Sequence, residues 1–233
     1  MLRPLLITVL SLSAAPAPAA EPLRLATQER PPYVHMRPDG TLDGTAVRVV
    51  ECALRKMEHP FTMQLMPWAR VLVMAEKGHL DGFFPSTYQS ERSRWAAESM
   101  PIADQHWVWY LRSDSTLDPL SLEFRQQAKV GAHFGSIRLK MLEDENYHVV
   151  LSSQSDKALL QAFAAGRADA ILGSDQALEM AVQELKLDPK DFRIVPVRNT
   201  PQHIFFNKSY LAQHPGFLEQ FNAHVPACRK VVK

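Results

Sequence analysis

The chain has 233 residues, 46% hydrophobic and 22% charged. This is a globular composition that excludes a disordered or fibrous protein and can bury a substantial core in one domain or two lobes. Lysine and arginine number 26 against 25 acidic residues, a net charge of +1 with histidine neutral, and that balance gives no reason to expect nucleic acid or an anionic membrane as a partner.

Residues 1–20 read as a secretory signal peptide. Arg3 supplies the positive start, Leu5 to Ala15 an apolar run, and Ala17-Pro18-Ala19-Ala20 a small-residue end. The apolar run is too short to anchor stably in a bilayer, and cleavage after Ala19 or Ala20 leaves no cysteine at the new start. A soluble exported protein with no membrane insertion is expected. Without Arg3 the basic and acidic residues balance at 25 each. Export also permits a disulfide between the only two cysteines, Cys52 and Cys228. A bridge and two buried free thiols both stay open, because spacing does not report whether the Cα atoms approach.

Leu23 to Ala26 reads as a short strand, followed by a loop stiffened by Pro31-Pro32, with Tyr33 next, and by an Asp39-Gly40 turn. From Gly44-Thr45 a helix is predicted, with Ala46, Val47, Val50, Ala53, Leu54 and Met57 at helical spacing. Phe61 to Leu65 is a second strand. Pro67-Trp68-Ala69-Arg70 opens a second helix, its proline tolerated where a first-turn N–H has no partner. Gly78 ends that helix and Asp81 begins a third strand, giving the β-α-β-α-β order of a doubly wound lobe.

That third strand runs out into Pro85-Ser86-Thr87-Tyr88-Gln89-Ser90-Glu91-Arg92. Small polar groups and one guanidinium beyond a strand end suit an anion, and ligands of open α/β sheets sit outside the carboxyl ends of strands. Arg92 paired with Glu91 or Glu98 on a solvated surface is the bland alternative. Ile102 to Arg112, with Trp107 and Trp109, is a further extended run and a candidate crossing between lobes. Strands are then predicted at Lys129 to Ala132, His148 to Leu151 and Ala170 to Leu172, with helices at Ile137 to Glu143, Asp156 to Ala165 and Gln176 to Leu185. Gly166-Arg167-Ala168-Asp169 before Ala170 echoes Gly78-His79-Leu80-Asp81, so a second, similar lobe is expected. Phe192 to Val197 and His203 to Phe206 return the chain, and Pro215 to Ala227 closes it as a helix. The expected division is residues 21–106 for the first lobe, 107–197 for the second, and 198–233 for the return to the first.

Nine histidines are scattered singly, and no H-E-x-x-H, G-x-S-x-G, G-x-x-x-x-G-K-[ST] or G-x-G-x-x-G run occurs. Neither a metal nor another cofactor is expected.

The order and spacing of Leu23-Arg24-Leu25-Ala26-Thr27, Pro31-Pro32-Tyr33, Asp39 to Gly44, Gly78 to Gly82, Ser90-Glu91-Arg92, Val130-Gly131 to Gly135-Ser136 and Gly166 to Ala170 resemble the family 3 periplasmic solute-binding proteins. These are receptors that commonly serve polar amino-acid uptake. The resemblance covers nearly all of the chain after residue 20. It implies a type II periplasmic-binding-protein fold of two α/β lobes with a ligand cleft between them, a periplasmic location, a monomer, and an inner-membrane ABC-transporter permease as partner. It further implies that Arg92 pairs with a ligand carboxylate, that Thr87 assists, and that Ser136 offers a hydroxyl and an N–H from a helix start. A planar guanidinium and a helix N-terminus both suit a carboxylate. Tyr33 is the expected stacking wall. Trp68 and Arg70 resemble a Trp-x-Arg subgroup, a flat surface plus a second cation.

Two departures bear on the ligand's other end. Ser174 stands where the family's amino-acid binders place a carboxylate for the ammonium group, with Asp175 one residue later, and Pro85 stands where a hydroxyl or glycine carbonyl often helps. A carboxylate-bearing ligand, an amino acid or a related organic acid, is therefore expected, without catalysis. The alternatives are a cyclohexadienyl-dehydratase-like enzyme with Asp175 or Glu179 as its acid, and a receptor that feeds a sensor.

Overall fold

The computed structural model describes residues 21–231, and the predicted signal peptide lies outside them. The first lobe begins with β1 (Leu23–Thr27), a small antiparallel hairpin of β2 (His35–Met36) and β3 (Leu42–Asp43), and α1 (Thr45–Lys56). It continues through β4 (Phe61–Leu65), α2 (Trp68–Glu76), β5 (Gly82–Ser86) and β6 (Ala96–Glu98). The predicted β-α-β-α-β run is present, with β1 parallel to both β4 and β5. Pro67 sits one place earlier than expected, as the N-cap of α2.

The second lobe holds β7 (His106–Arg112), α3 (Leu122–Gln127), β8 (Lys129–His133), α4 (Ile137–Asp144), β9 (His148–Ser153), α5 (Asp156–Ala164), β10 (Ala170–Ser174), α6 (Asp175–Leu185) and β11 (Phe192–Asn199). The chain then returns through β12 (His203–Asn207), α7 (Lys208–Gln213) and α8 (Phe217–Val231). One five-stranded sheet has the order β4-β1-β5-β12-β6, the other β11-β7-β10-β8-β9.

Every residue of β5 is buried, as a strand covered on both faces should be. α1 turns Ala46, Val47, Val49, Val50, Ala53 and Leu54 inward against Phe217, Phe221 and Val225 of α8 in the same core cluster. Cys52 of α1 and Cys228 of α8 form a disulfide with their Cα atoms 5.7 Å apart, which resolves the open pairing. Gly44 caps α1 with φ of 126°, and a Cβ there would run into the Tyr33 carbonyl. The helix entrance needs a glycine for both reasons.

β7 shows the two-residue period of a covered strand. Trp107, Trp109 and Leu111 pack on one face with Phe124 and Leu142, while Val108 and Tyr110 pack on the other with Leu159, Phe163 and Leu178. β7 also pairs antiparallel with β11, from Arg112 opposite Phe192 to His106 opposite Asn199. Backbone pairing goes on through the crossing itself. Thr200 N donates to Gln105 O at 2.8 Å, Gln202 N to Ala103 O at 2.9 Å, and Ser99 N to Ile204 O at 2.9 Å.

Candidate ligand-binding site

A cavity of about 860 Å³ opens between the lobes, within the usual range for small-molecule sites. The loop after β1 contributes Arg30, the start of α2 Trp68, and the end of β5 with the run beyond it contributes Ser86, Thr87 and Arg92. The second lobe contributes Trp107, residues 133–138 from the end of β8 into α4, and Asp156. Strand carboxyl ends supply both walls, as a doubly wound architecture dictates.

Arg92 lies in the short 3-10 turn Arg92–Arg94. Its Nη1 donates to Ser86 Oγ, and its guanidinium carbon stands 5.5 Å from the centroid of the Trp68 ring. Burial lowers its pKa, opposed by the charge of Glu91. Among the described residues no carboxylate lies within 4 Å of it, so the surface pairing with Glu91 or Glu98 does not form. A half-buried guanidinium fixed by a ring and a hydroxyl keeps donors for a planar anion.

Opposite it, Ser136 is the N-cap of α4. Its Oγ accepts from Leu139 N at 3.2 Å, and its own N–H donates to His133 O at 3.2 Å. That N–H is thus engaged, contrary to expectation, because the turn into the helix consumes it. The hydroxyl proton remains, together with the N–H groups of Ile137 and Arg138, which have no carbonyl one turn back within the helix.

Five of the sequence-predicted residues stand elsewhere. Tyr33 is only 1% exposed in the first lobe's core, its hydroxyl donating to Asp104 O at 3.3 Å. Arg30 lies over its ring at 5.7 Å, so the loop presents a cation to the cavity where an aromatic wall was expected. Arg70 is exposed and does not line the cavity. Two helical residues apart from Trp68, it lies about 200° around the axis and faces away. Pro85 is buried within β5, and the neighbouring Ser86 faces the cavity, as strand alternation requires. Ser174 is 3% exposed at the end of β10. Asp175 accepts from His106 N at 3.1 Å and sits 2.9 Å from its Nδ1, committed to the base of the second lobe.

Arg30, Arg138, His133 and Asp156 line the cavity although the sequence did not single them out. Arg138 is 7% exposed in the first turn of α4, where a cation opposes the helix dipole and no acidic residue accompanies it. That misplacement was the readable mark. His133 Nδ1 lies 3.6 Å from Asp156 Oδ1, an ion-pair separation longer than a hydrogen bond. The Asp156 carboxyl is held below its usual value: burial raises it, but His133, Arg138 and Arg30 together outweigh that.

No family model matches the chain, and no curated protein matches it. Solved structures do. A histidine kinase sensor domain described as similar to periplasmic binding proteins aligns with a TM-score of 0.70 at 17% identity, covering 91% of this chain and 92% of that one. An ancestral cationic amino acid solute-binding protein aligns at 0.69 and 17% identity, with 90% of each chain covered. The substrate-binding protein of an amino acid ABC transporter aligns at 0.64 and 14% identity, covering 90% of this chain and 93% of that one. With two sheets, flanking helices and a cleft between them, the chain has the two-lobed α/β fold of the periplasmic binding proteins.

Proposed function

We propose that the protein is a periplasmic receptor that captures a small carboxylate-bearing ligand by closing its two lobes, without chemical turnover, and delivers it to an ABC-type transporter. The observation that carries this reading is Arg92, laid on Trp68 and bonded to Ser86 inside the cavity with no carboxylate of the described residues on it. Thr87 stands beside it, and the hydroxyl of Ser136 and the first turn of α4 stand across the cleft. The fold supports the role, since a hinge between two lobes converts occupancy into a change of shape. Against the dehydratase alternative, neither of the acids named for it, Asp175 or Glu179, lines the cavity, and an acid catalyst must reach its substrate.

Thermal unfolding in the presence of amino acids, dicarboxylates and aromatic acids tests the reading. A ligand at a hundred times its dissociation constant adds roughly 2.7 kcal/mol of stability, and no shift from any carboxylate would overturn it. A sensory role in place of transport is favoured by the likeness to the kinase sensor domain. Capture of a kinase instead of a permease in a crosslinking experiment would decide for it.

A further inference from the structure

We propose that the ligand is an organic dianion, with one carboxylate on Arg92 and a second acidic group held between Arg30 of the first lobe and Arg138 of the second. The proposal rests on the carboxylate-receptor reading and specifies the class of its ligand.

Arg30 and Arg138 come from opposite lobes and line the same cavity. Arg30 spends one side-chain hydrogen bond on the neutral amide oxygen of Gln202, at 3.2 Å. Arg138 is nine-tenths buried, and its Nε has no hydrogen-bond partner. Among the described residues neither makes an ion pair within 4 Å. Burial lowers the pKa of both, and at Arg138 the charge of Arg30 lowers it further. Asp156 is the carboxylate acting on both, and it is shared with His133. Two guanidiniums facing one shared carboxylate leave an uncompensated positive charge, which a second anion would relieve. Near the cavity edge Lys157 and Glu184 cancel each other at 3.2 Å.

At the Arg30–Arg138 end of the cavity an ammonium group has no comparable place. Ser174 is uncharged and buried, Asp175 is held by His106, and an ammonium at Asp156 would sit beside two arginines. The same cavity offers apolar surface for a spacer, with Phe134 55% and Ile137 46% exposed.

Calorimetry on the purified protein tests this with succinate, glutarate, adipate and phthalate, their monocarboxylate counterparts, phosphoglycolate, and the amino acids arginine and glutamine. The expected result is that a dianion binds about ten- to a hundredfold tighter than its matched monocarboxylate, the worth of one charge-assisted hydrogen bond. Phosphoglycolate separates a phosphate from a carboxylate as the second group. Arg138→Gln is expected to collapse that ratio, whereas Arg92→Gln weakens both members of a pair. Arg30→Gln gives the same comparison should Arg138→Gln fail to fold. An amino acid or monocarboxylate that equals the best dianion, or a ratio unchanged in both variants, would overturn the dianion and leave the receptor standing. Failure of every carboxylate to bind would overturn the two together.

Discussion

The planar cation of Arg92 lies 5.5 Å from the centre of the Trp68 indole, although the two residues belong to different elements of the first lobe. Stacking of this kind contributes roughly 0.5 to 2 kcal/mol. Its greater effect here is orientation, because the ring and Ser86 together fix which edge of the guanidinium faces the cavity.

Replacement of Arg92 by alanine is expected to weaken ligand binding about ten- to a hundredfold or more, the loss of a charge-assisted pair. Arg92→Lys keeps the charge but loses the two-pronged geometry, so it should recover only part of the affinity. Calorimetry checks both, and unchanged affinity in Arg92→Ala would remove the residue from the site.

Breaking the Cys52–Cys228 bridge, which spans 176 residues of sequence, is expected to destabilise the protein by about 2 to 5 kcal/mol. Denaturant unfolding of the Cys52→Ala/Cys228→Ala variant against the oxidised protein measures it. A negligible change would show that the packing of α1 on α8 alone holds the helices.

Gly44→Ala should destabilise by about 1 to 3 kcal/mol or more, combining a strained positive φ with a clash on the Tyr33 carbonyl. Gly40→Ala is the internal control. It also has positive φ, 82°, but an added Cβ meets nothing within 4 Å, so it should lose only about 1 to 2 kcal/mol. Equal losses at the two positions would contradict the close approach seen at Gly44.

Asp43 accepts hydrogen bonds from Arg37 at 2.6 Å and Arg48 at 2.6 Å. Its pKa is held far below the usual carboxylate range, chiefly by the Arg48 hydrogen bonds. A folded-state pKa depressed below the unfolded value of about 3.9 contributes stability that is complete above that pH and disappears as pH falls toward the folded value. Asp43→Asn is therefore expected to lose about 1 to 3 kcal/mol at pH 6, toward the lower end because both guanidiniums are half-exposed. The gap to the unsubstituted protein should narrow steadily below pH 4. A gap that is independent of pH would assign the effect to packing.

The alternation from β1 to β5 was legible because α1 carries a clean apolar face and each strand is a short apolar run between turn residues. β6, with three residues, and α3 and α7, with six each, are too short to show a period and went unread. The placement of Arg92 and Trp68 on the cavity wall was legible from local order. Arg70 was misjudged because a two-residue offset changes the face of a helix, and Tyr33 because the loop that carries it folds its ring inward and Arg30 outward. Arg30 and Arg138 are 108 positions apart and meet only across the cleft, a proximity that belongs to the arrangement of the lobes and not to any local pattern.

The backbone hydrogen bonds that continue from β7 and β11 through Gln105–Thr200, Ala103–Gln202 and Ser99–Ile204 join the two connections into a single two-stranded ribbon. The amide of Gln202 clasps that of Gln105 across it at 2.8 Å. Such a ribbon resists stretching and sliding but twists and flexes. In the proposed lobe closure this ribbon is the waist about which the two halves rotate, bringing Arg92 and Arg138, which line opposite walls of the cavity, toward one another.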